Sequence, residues 1–392
     1  MYVLIGGWAL RFGSAAWRHQ PIAPGGDAEM YVNMARAFAS GRFPGQGHPP
    51  VFPLFLSLTY GLLGQKILLA LFIQSCVSAL VIGMVYRIGT DLGGEFAGLL
   101  AAAGVAVDPF LLFYNSVFLS ETLFTTLLLA TFLSLLRTIK DSSLSWAWVC
   151  GLLLGLAILC RGILLPCIPF FLVAMIGYLR GSLGRRLLAA LFCVAGVALL
   201  LGAWSAYVHH YTSSWLLVDS HKGENMYWAI DPGLNDLAAE QKYLAAMKQD
   251  IAQHGLKDAL QIDTYLMNKA TDWIKHHPEQ YFVLMIRKFF KFWCLIPHRE
   301  IYSRSQRLIS VLFMTPLLLL ALAGMALEFQ HKPVHPTAVM MLAFIVTYTL
   351  ANIIIWTEIR YRVPIHPFLE IFAGVFLAQK IEKTVSVPAA AS

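Results

Sequence analysis

The feature that most restricts this chain is a succession of apolar runs, each near the roughly 20 residues a helix needs to cross a bilayer. They fall at about 67-87, 97-114, 118-136, 145-160, 162-179, 187-208, 307-327, 337-356 and 363-379. Only 13% of the 392 residues are charged and 58% are hydrophobic, whereas a soluble globular chain carries about 25% charged residues. Met1 to Leu10 is also apolar but is interrupted by Arg11. Counted as a short first span, it is what a chain whose natural start lies upstream of Met1 would show. The reading is an all-α polytopic membrane protein with about ten transmembrane helices and amphipathic helices in its extracytoplasmic loops.

Loop charges orient these spans. Arg87, Arg137 with Lys140, Arg180 with Arg185 and Arg186, Lys332, and Lys380 with Lys383 all fall on one side if every run is a span. The positive-inside rule makes that side cytoplasmic. The formal net charge of +7 is therefore an orientation signal, and no basic tail or motif suggests a nucleic-acid partner. The other side receives the two long connections, 12-66 and 209-306. The whole chain, 1-392, reads as one transmembrane domain in a plasma or inner membrane, with its site facing outward. The six cysteines have no C-x-x-C spacing and read as small buried hydrophobes.

Within the first outer loop, GGDAEMYVNMARAFASG (Gly25 to Gly41) forms a short helix. Asp27 stands where an N-cap would be, and Gly41 ends the helix. Tyr31, Met34, Ala35 and Phe38 share one apolar face suited to a greasy surface, with Glu29, Asn33 and Arg36 off it. In the second outer loop, LNDLAAEQKYLAAMKQDI and ALQIDTYLMNKATDWIKHH have helical spacing, and Pro278 closes the second. Glu279 to Trp293 reads as an interfacial helix, with Tyr281, Phe282, Met285, Phe289 and Phe292 apolar and Arg287, Lys288 and Lys291 basic.

Polar residues gather at the outer ends of several spans. Asp27 and Glu29 open the first-loop helix, His48 precedes Pro49-Pro50, Asp108 and Glu121 flank the turn between the third and fourth spans, and Arg161 interrupts LGLAILCRGILLPCIPF. Glu358, Arg360, Tyr361 and Arg362 stand in WTEIRYRVP before the last span. Each has a plain explanation: a helix cap for Asp27, a first-turn acid behind Ser120 for Glu121, interfacial anchoring for Arg161, lipid headgroups for Arg360 and Arg362. Charges at membrane depth are costly, however, and usually face a cavity or one another. Together they imply an outward cavity with acids on one wall and arginines on another. Arginine forks grip phosphate oxygens while a carboxylate takes a proton from a hydroxyl or amine, which suits a phosphate-bearing amphiphile.

In their order, GDAEMYVNMARAFASG, HPPVFPLFLSL, SETLF, RGILLP, SSWLLVDSHKGENMYWAIDPG and EIRYRVPIHPFLEIFAG resemble the membrane C-type glycosyltransferase superfamily. Within it the resemblance is to the dolichyl-phosphate-mannose protein mannosyltransferase-like and aminoarabinose-transferase-like group. It implies inverting transfer of a sugar from a polyprenyl-phosphate donor to an acceptor (protein, glycolipid or glycan) at the extracytoplasmic face. It also implies catalytic roles for Asp27, as general base, with Glu29 as its substitute and Glu121 as the second acid. Tyr31, His48, Asp108, Arg161, Lys222, Glu224, Glu358, Arg360, Tyr361 and Arg362 complete the candidate substrate contacts, with Arg161, Arg360 and Arg362 on the lipid phosphate.

Such a displacement requires no cofactor, although Asp27, Glu121 and a phosphate would suit a magnesium or manganese ion. The rival readings are a transporter or flippase for a lipid-linked sugar, which would place charges near mid-membrane in two similar halves, and a scaffold binding anionic membrane lipids through the helix around Arg287.

Overall fold

In the computed structural model the described residues are 1-18, 26-45, 47-63, 66-231, 237-297, 299 and 302-385. Gly25, and residues 234-236 at the start of the LNDL segment, lie outside them. All regular structure among the described residues is helical. In chain order the helices are α1 (Tyr2–Arg18), α2 (Asp27–Ala39), α3 (Val51–Leu63), α4 (Ile67–Val107), α5 (Pro109–Asn115), α6 (Glu121–Asp141), α7 (Leu144–Cys160) and α8 (Ile168–Tyr178). They continue with α9 (Leu183–Thr212), α10 (Lys222–Ala229), α11 (Leu237–Gln253), α12 (Ala259–His276), α13 (Pro278–Phe292), α14 (Arg304–Gln330), α15 (Pro336–Ile354) and α16 (His366–Val385). Short 3-10 turns, Gly162–Cys167 and Ile359–Ile365, precede α8 and α16. Among the described residues five helices, α4, α6, α9, α14 and α15, are long and apolar enough to cross a membrane.

The 41-residue α4 is two antiparallel arms. Gly94, at φ +86, lies in the left-handed region that glycine enters without strain. The chain reverses so tightly that a Cβ on Gly98 would stand 2.6 Å from the Tyr86 carbonyl oxygen. The two arms answer to the runs 67-87 and 97-114. Around them pack α1, α6 and α16, with α7 against α6 and α9, and α14 against α16.

Arg11 does not break the first helix. It is fully buried in α1, where it donates to Ser78 Oγ at 2.9 Å and to the carbonyls of Gly7, Val105 and Ala106. With its donors spent on Gly7 of α1 and on both arms of α4, the buried guanidinium is satisfied, and α1 runs on for 17 residues.

The first-loop helix forms, with one correction. Its N-cap is Gly26, which leaves the Asp27 carboxylate free of capping. Its apolar face lies on the apolar helix α3: Tyr31 is 5.1 Å from the Phe52 ring, and Tyr31, Met34 and Ala35 are buried. Gly41, at φ +67, follows the helix as expected.

In the second long connection α11 and α12 stand where helical spacing put them. α13 departs from a simple basic and apolar division. Phe282, Ile286, Phe289 and Phe290 are exposed, whereas Lys288 is fully buried with Leu284 and Phe292.

Candidate functional site

The start of α2, the turns before α6 and α8, α10 and the segment after α15 close around one cavity of about 890 Å³. Its chemistry begins with Arg360. The 3-10 turn carrying this residue has about three residues per turn, so Arg360, Tyr361 and Arg362 point in three different directions. Arg360 Nη1 donates to Asp27 Oδ2 at 2.8 Å, and Arg360 Nε lies 2.7 Å from Glu358 Oε2. Tyr361 lies between two guanidinia, Arg161 at 4.7 Å and Arg360 at 5.2 Å from its ring centre. Arg161, extended between α7 and the following turn, brings Nη1 to 2.7 Å from Glu121 Oε1.

Acids and arginines are therefore interleaved across the cavity and do not occupy opposing walls. The pairs also differ in quality. Arg360 to Asp27 is a well-directed hydrogen bond, whereas Arg161 Nη1 and Arg360 Nε are close to carboxylates but have no hydrogen-bond partner in the protein. Both nitrogens keep a buried N-H without a directed acceptor, and Glu121 Oε2 is a buried acceptor without a directed donor.

Electrostatics sets the protonation of the pair. Burial pushes the Asp27 carboxyl up, but the charge and hydrogen bond of Arg360, with His48 and Arg161 beyond, outweigh it and hold the group below the usual carboxylate range. Burial likewise opposes the charge of Arg360, and Glu358, Tyr361, Glu121 and Asp27 more than offset it.

His48 stacks on His221, with ring centres 4.9 Å apart, and stands 5.4 Å from the Tyr31 ring. Burial first, then His221, brings its pKa down to about 4, so the imidazole is neutral near pH 7. Burial pushes the Tyr31 phenol up.

The far wall comes from α10 and the segment before it. Lys222 and Glu224 line the cavity together with Asp219, His221 and Lys248. Asp219 Oδ1 accepts from the His221 backbone N-H at 3.1 Å, and burial raises its carboxyl. Gly223 lets α10 lie directly on α12, because a Cβ there would meet the Asp263 carbonyl. Asp219, His221, Lys248 and the ring of Trp356 were not singled out from the sequence. The polar run DSHKGE directly after an apolar span was the available signal for the first two.

Three candidates stand elsewhere. Glu29 lies on the exposed side of α2, outside the cavity lining. Asp108 is fully buried, with one oxygen capping α5 through Phe110 N at 2.7 Å and the other 2.8 Å from His366 Nδ1. Arg362 is fully buried and donates from Nη1 to the Phe292 and Cys294 carbonyls at 3.1 and 3.0 Å, tying the end of α13 to the turn before α16. Tyr31, His48, Glu121, Arg161, Lys222, Glu224, Glu358, Arg360 and Tyr361 do share the cavity with Asp27. Among the described residues no group of three or more His, Cys, Asp or Glu side chains is placed to hold a metal.

Residues 47-209 match the family model described as dolichyl-phosphate-mannose-protein mannosyltransferase. The whole chain superposes on the archaeal oligosaccharyltransferase AglB from Archaeoglobus fulgidus, solved with an inhibitory peptide and a dolichol-phosphate, at TM-score 0.61 and 13% identity. It covers 100% of this chain and 52% of that one. The fold is that of the C-type glycosyltransferase superfamily.

Among C-type glycosyltransferase folds, ArnT from Cupriavidus metallidurans bound to undecaprenyl phosphate is also similar, at TM-score 0.53 and 16% identity over 96% of this chain and 60% of that one. The chain thus spans about half the length of AglB and three fifths of ArnT. No curated protein matches it. With five long apolar helices among its described residues, the chain is an integral membrane protein of this fold.

Proposed function

We propose that the protein transfers a sugar from a polyprenyl-phosphate carrier to an acceptor at the extracytoplasmic face of the membrane. One observation carries this reading above the others. Asp27 is bonded to Arg360, which shares the Tyr361 ring with Arg161, and each guanidinium also stands 2.7 Å from another carboxylate, Glu358 or Glu121. A phosphate oxygen entering between the two guanidinia would compete with those carboxylates for both, in the charge-assisted geometry that arginine favours.

The reaction follows from that placement. The acceptor oxygen or nitrogen bonds to the anomeric carbon of the sugar while the bond from that carbon to the phosphate oxygen breaks. The electron pair leaves with the polyprenyl phosphate, and Asp27 takes the proton from the acceptor. A single displacement of this kind inverts the anomeric centre. Arg360 and Arg161 stabilise the negative charge that grows on the leaving phosphate, with Tyr361 spacing them. Glu121 orients Arg161, Lys222 and Glu224 line the sugar side, and neutral His48 leaves the charge balance undisturbed.

The displacement requires no cofactor. A magnesium or manganese ion brought by the donor would meet Asp27 and Glu121, the two acids the arginines now hold. In this reading the ten spans are α1, both arms of α4, α6 to α9, and α14 to α16. Their basic loops lie in the cytoplasm, and α13 lies at the outer surface with Phe282, Ile286, Phe289 and Phe290 in the lipid interface.

The test uses purified protein in liposomes with a polyprenyl-phosphate sugar and candidate protein, glycolipid and glycan acceptors. Release of the free carrier phosphate in step with a glycosylated acceptor is the expected result. Movement of the intact lipid between leaflets without that release would make the protein a transporter instead.

A further inference from the structure

Lys288 is a lysine in a place where lysines are rarely found. It is fully buried, and its Nζ donates to three backbone carbonyls: Ile355 at 2.9 Å, and Ile354 and Ala229 at 3.3 Å each. Ala229 is the last residue of α10 and Ile354 the last of α15. The ammonium thus sits where two helices end, the end of each helix that carries partial negative charge and unpaired carbonyls. Its three protons match three acceptors.

The same face of α13 makes two further contacts with this junction. Tyr281, two turns before Lys288, donates its hydroxyl to the Ile354 carbonyl. Lys291, one turn after it, lies 4.7 Å from the ring centre of Trp356. Both elements held in this way carry the cavity: α10 bears Lys222 and Glu224, and the segment after Ile355 bears Trp356, Glu358 and Arg360.

We propose that Lys288 is a positioning residue, whose ammonium latches the C-terminal ends of α10 and α15 onto α13 and thereby sets Arg360 across from Asp27. The role assigned to Arg360 rests on the function proposed above; the latch itself does not. The latch needs the charged form, because a neutral amine has two N-H donors for three carbonyls. Burial brings the Lys288 pKa down to about 7. The titratable groups of the elements around it are Glu279, Tyr281, Arg287 and Lys291 on α13, Lys222, Glu224 and Tyr227 on α10 with Asp231 after it, Tyr348 on α15, and Glu358, Arg360, Tyr361 and Arg362 after α15. The Tyr281 ring is 5.1 Å from Nζ. The latch is closed below about pH 7 and loses a donor as the pH rises through that value.

The experiment uses the full chain in lipid nanodiscs, with undecaprenyl phosphate as the probe. Hydrogen exchange at the amides of 355-361, normalised to α12, reads the latch, and probe affinity reads its consequence. In the wild type, normalised exchange rises and affinity falls between pH 6 and 8. Lys288→Met raises exchange at pH 6 and weakens the probe about tenfold, with no further change to pH 8. Lys288→Arg, which stays charged, restores low exchange and removes the pH response. Unchanged exchange in Lys288→Met, or a wild type whose normalised exchange at 355-361 is flat from pH 6 to 8, overturns the latch; the second arm stands even if the methionine variant does not fold. Altered exchange with no binding of the probe by any variant keeps the latch and removes the phosphate reading of Arg360.

Discussion

Arg360 Nη1 and Asp27 Oδ2 stand 2.8 Å apart although 333 positions separate them in the chain. In the proposed reaction this bond gives the site its logic. The candidate base is held as a carboxylate by the residue proposed to receive the donor phosphate, so phosphate arriving at Arg360 would weaken its grip on Asp27 and raise the basicity of that group. Donor binding would then precede deprotonation of the acceptor, and each partner of the bond can be tested alone.

Asp27→Asn keeps the size of the side chain and loses the base. Turnover of a polyprenyl-phosphate sugar should fall by about 10² to 10⁴, the range that positioned proton transfer supplies. Affinity for undecaprenyl phosphate should hold or improve, since Arg360 no longer faces a competing anion. Near-normal turnover, measured as carrier phosphate released, would exclude Asp27 as the base.

Arg360→Lys separates charge from shape. Lysine keeps the charge but cannot span Asp27 and Glu358 with one planar fork. The apparent donor KM should rise about tenfold or more, with a smaller change in kcat. An unchanged KM would count against a phosphate role at this position.

Arg362→Met probes the neighbour that faces away from the cavity. It strands the Phe292 and Cys294 carbonyls, so the melting temperature in detergent should fall, while the donor KM of the surviving folded protein stays within about twofold of the wild type. Replacing a buried hydrogen-bonded group costs about 1 to 3 kcal/mol. A KM effect as large as that of Arg360→Lys would bring Arg362 into the phosphate site.

The pH dependence of the Asp27 to Arg360 bond has a definite sign. The folded carboxyl titrates below its unfolded counterpart, so the bond contributes stability that is complete above the unfolded pKa and is lost as the pH falls through the folded one. Melting curves from pH 7 down to 3 should therefore separate wild type from Asp27→Asn at the upper end and bring them together at the acid end. Parallel curves would show that the bond adds nothing.

Gly223→Ala tests how α10 presents Lys222 and Glu224. A methyl group at this position meets the Asp263 carbonyl of α12, so α10 must shift outward. Sugar transfer should drop while undecaprenyl phosphate still binds, because Arg360 and Arg161 stand on other elements. Loss of both together, with the protein folded, would place the phosphate site nearer α10 than drawn above.

Much of this was legible in the residues because it is local. Hydropathy over 20-residue windows located the apolar helices, and the glycine pair with an acid at 25-27 announced a helix start beside a candidate base. Those signals are periodic or depend on near neighbours, and tertiary context rarely overrides them in an apolar chain. The cap was missed by one residue, since Gly26 and Asp27 both suit that position.

The sequence by itself determined a helical membrane protein with polar residues collected at one end of its spans, because burial of backbone amides in lipid leaves few other solutions. Only the tertiary structure decided which of those residues meet. Arg360 and Arg362 look alike in RYR, but a 3-10 turn sends one to Asp27 and the other into the end of α13. Asp108 and Glu121 flank the same turn, yet His366, 258 positions away, claims the first, and Arg161 the second. Lys288 reads as one of three surface cations on an amphipathic helix, and becomes a buried latch because two helices end against it. Each outcome depends on the direction of a side chain and on a partner far along the chain.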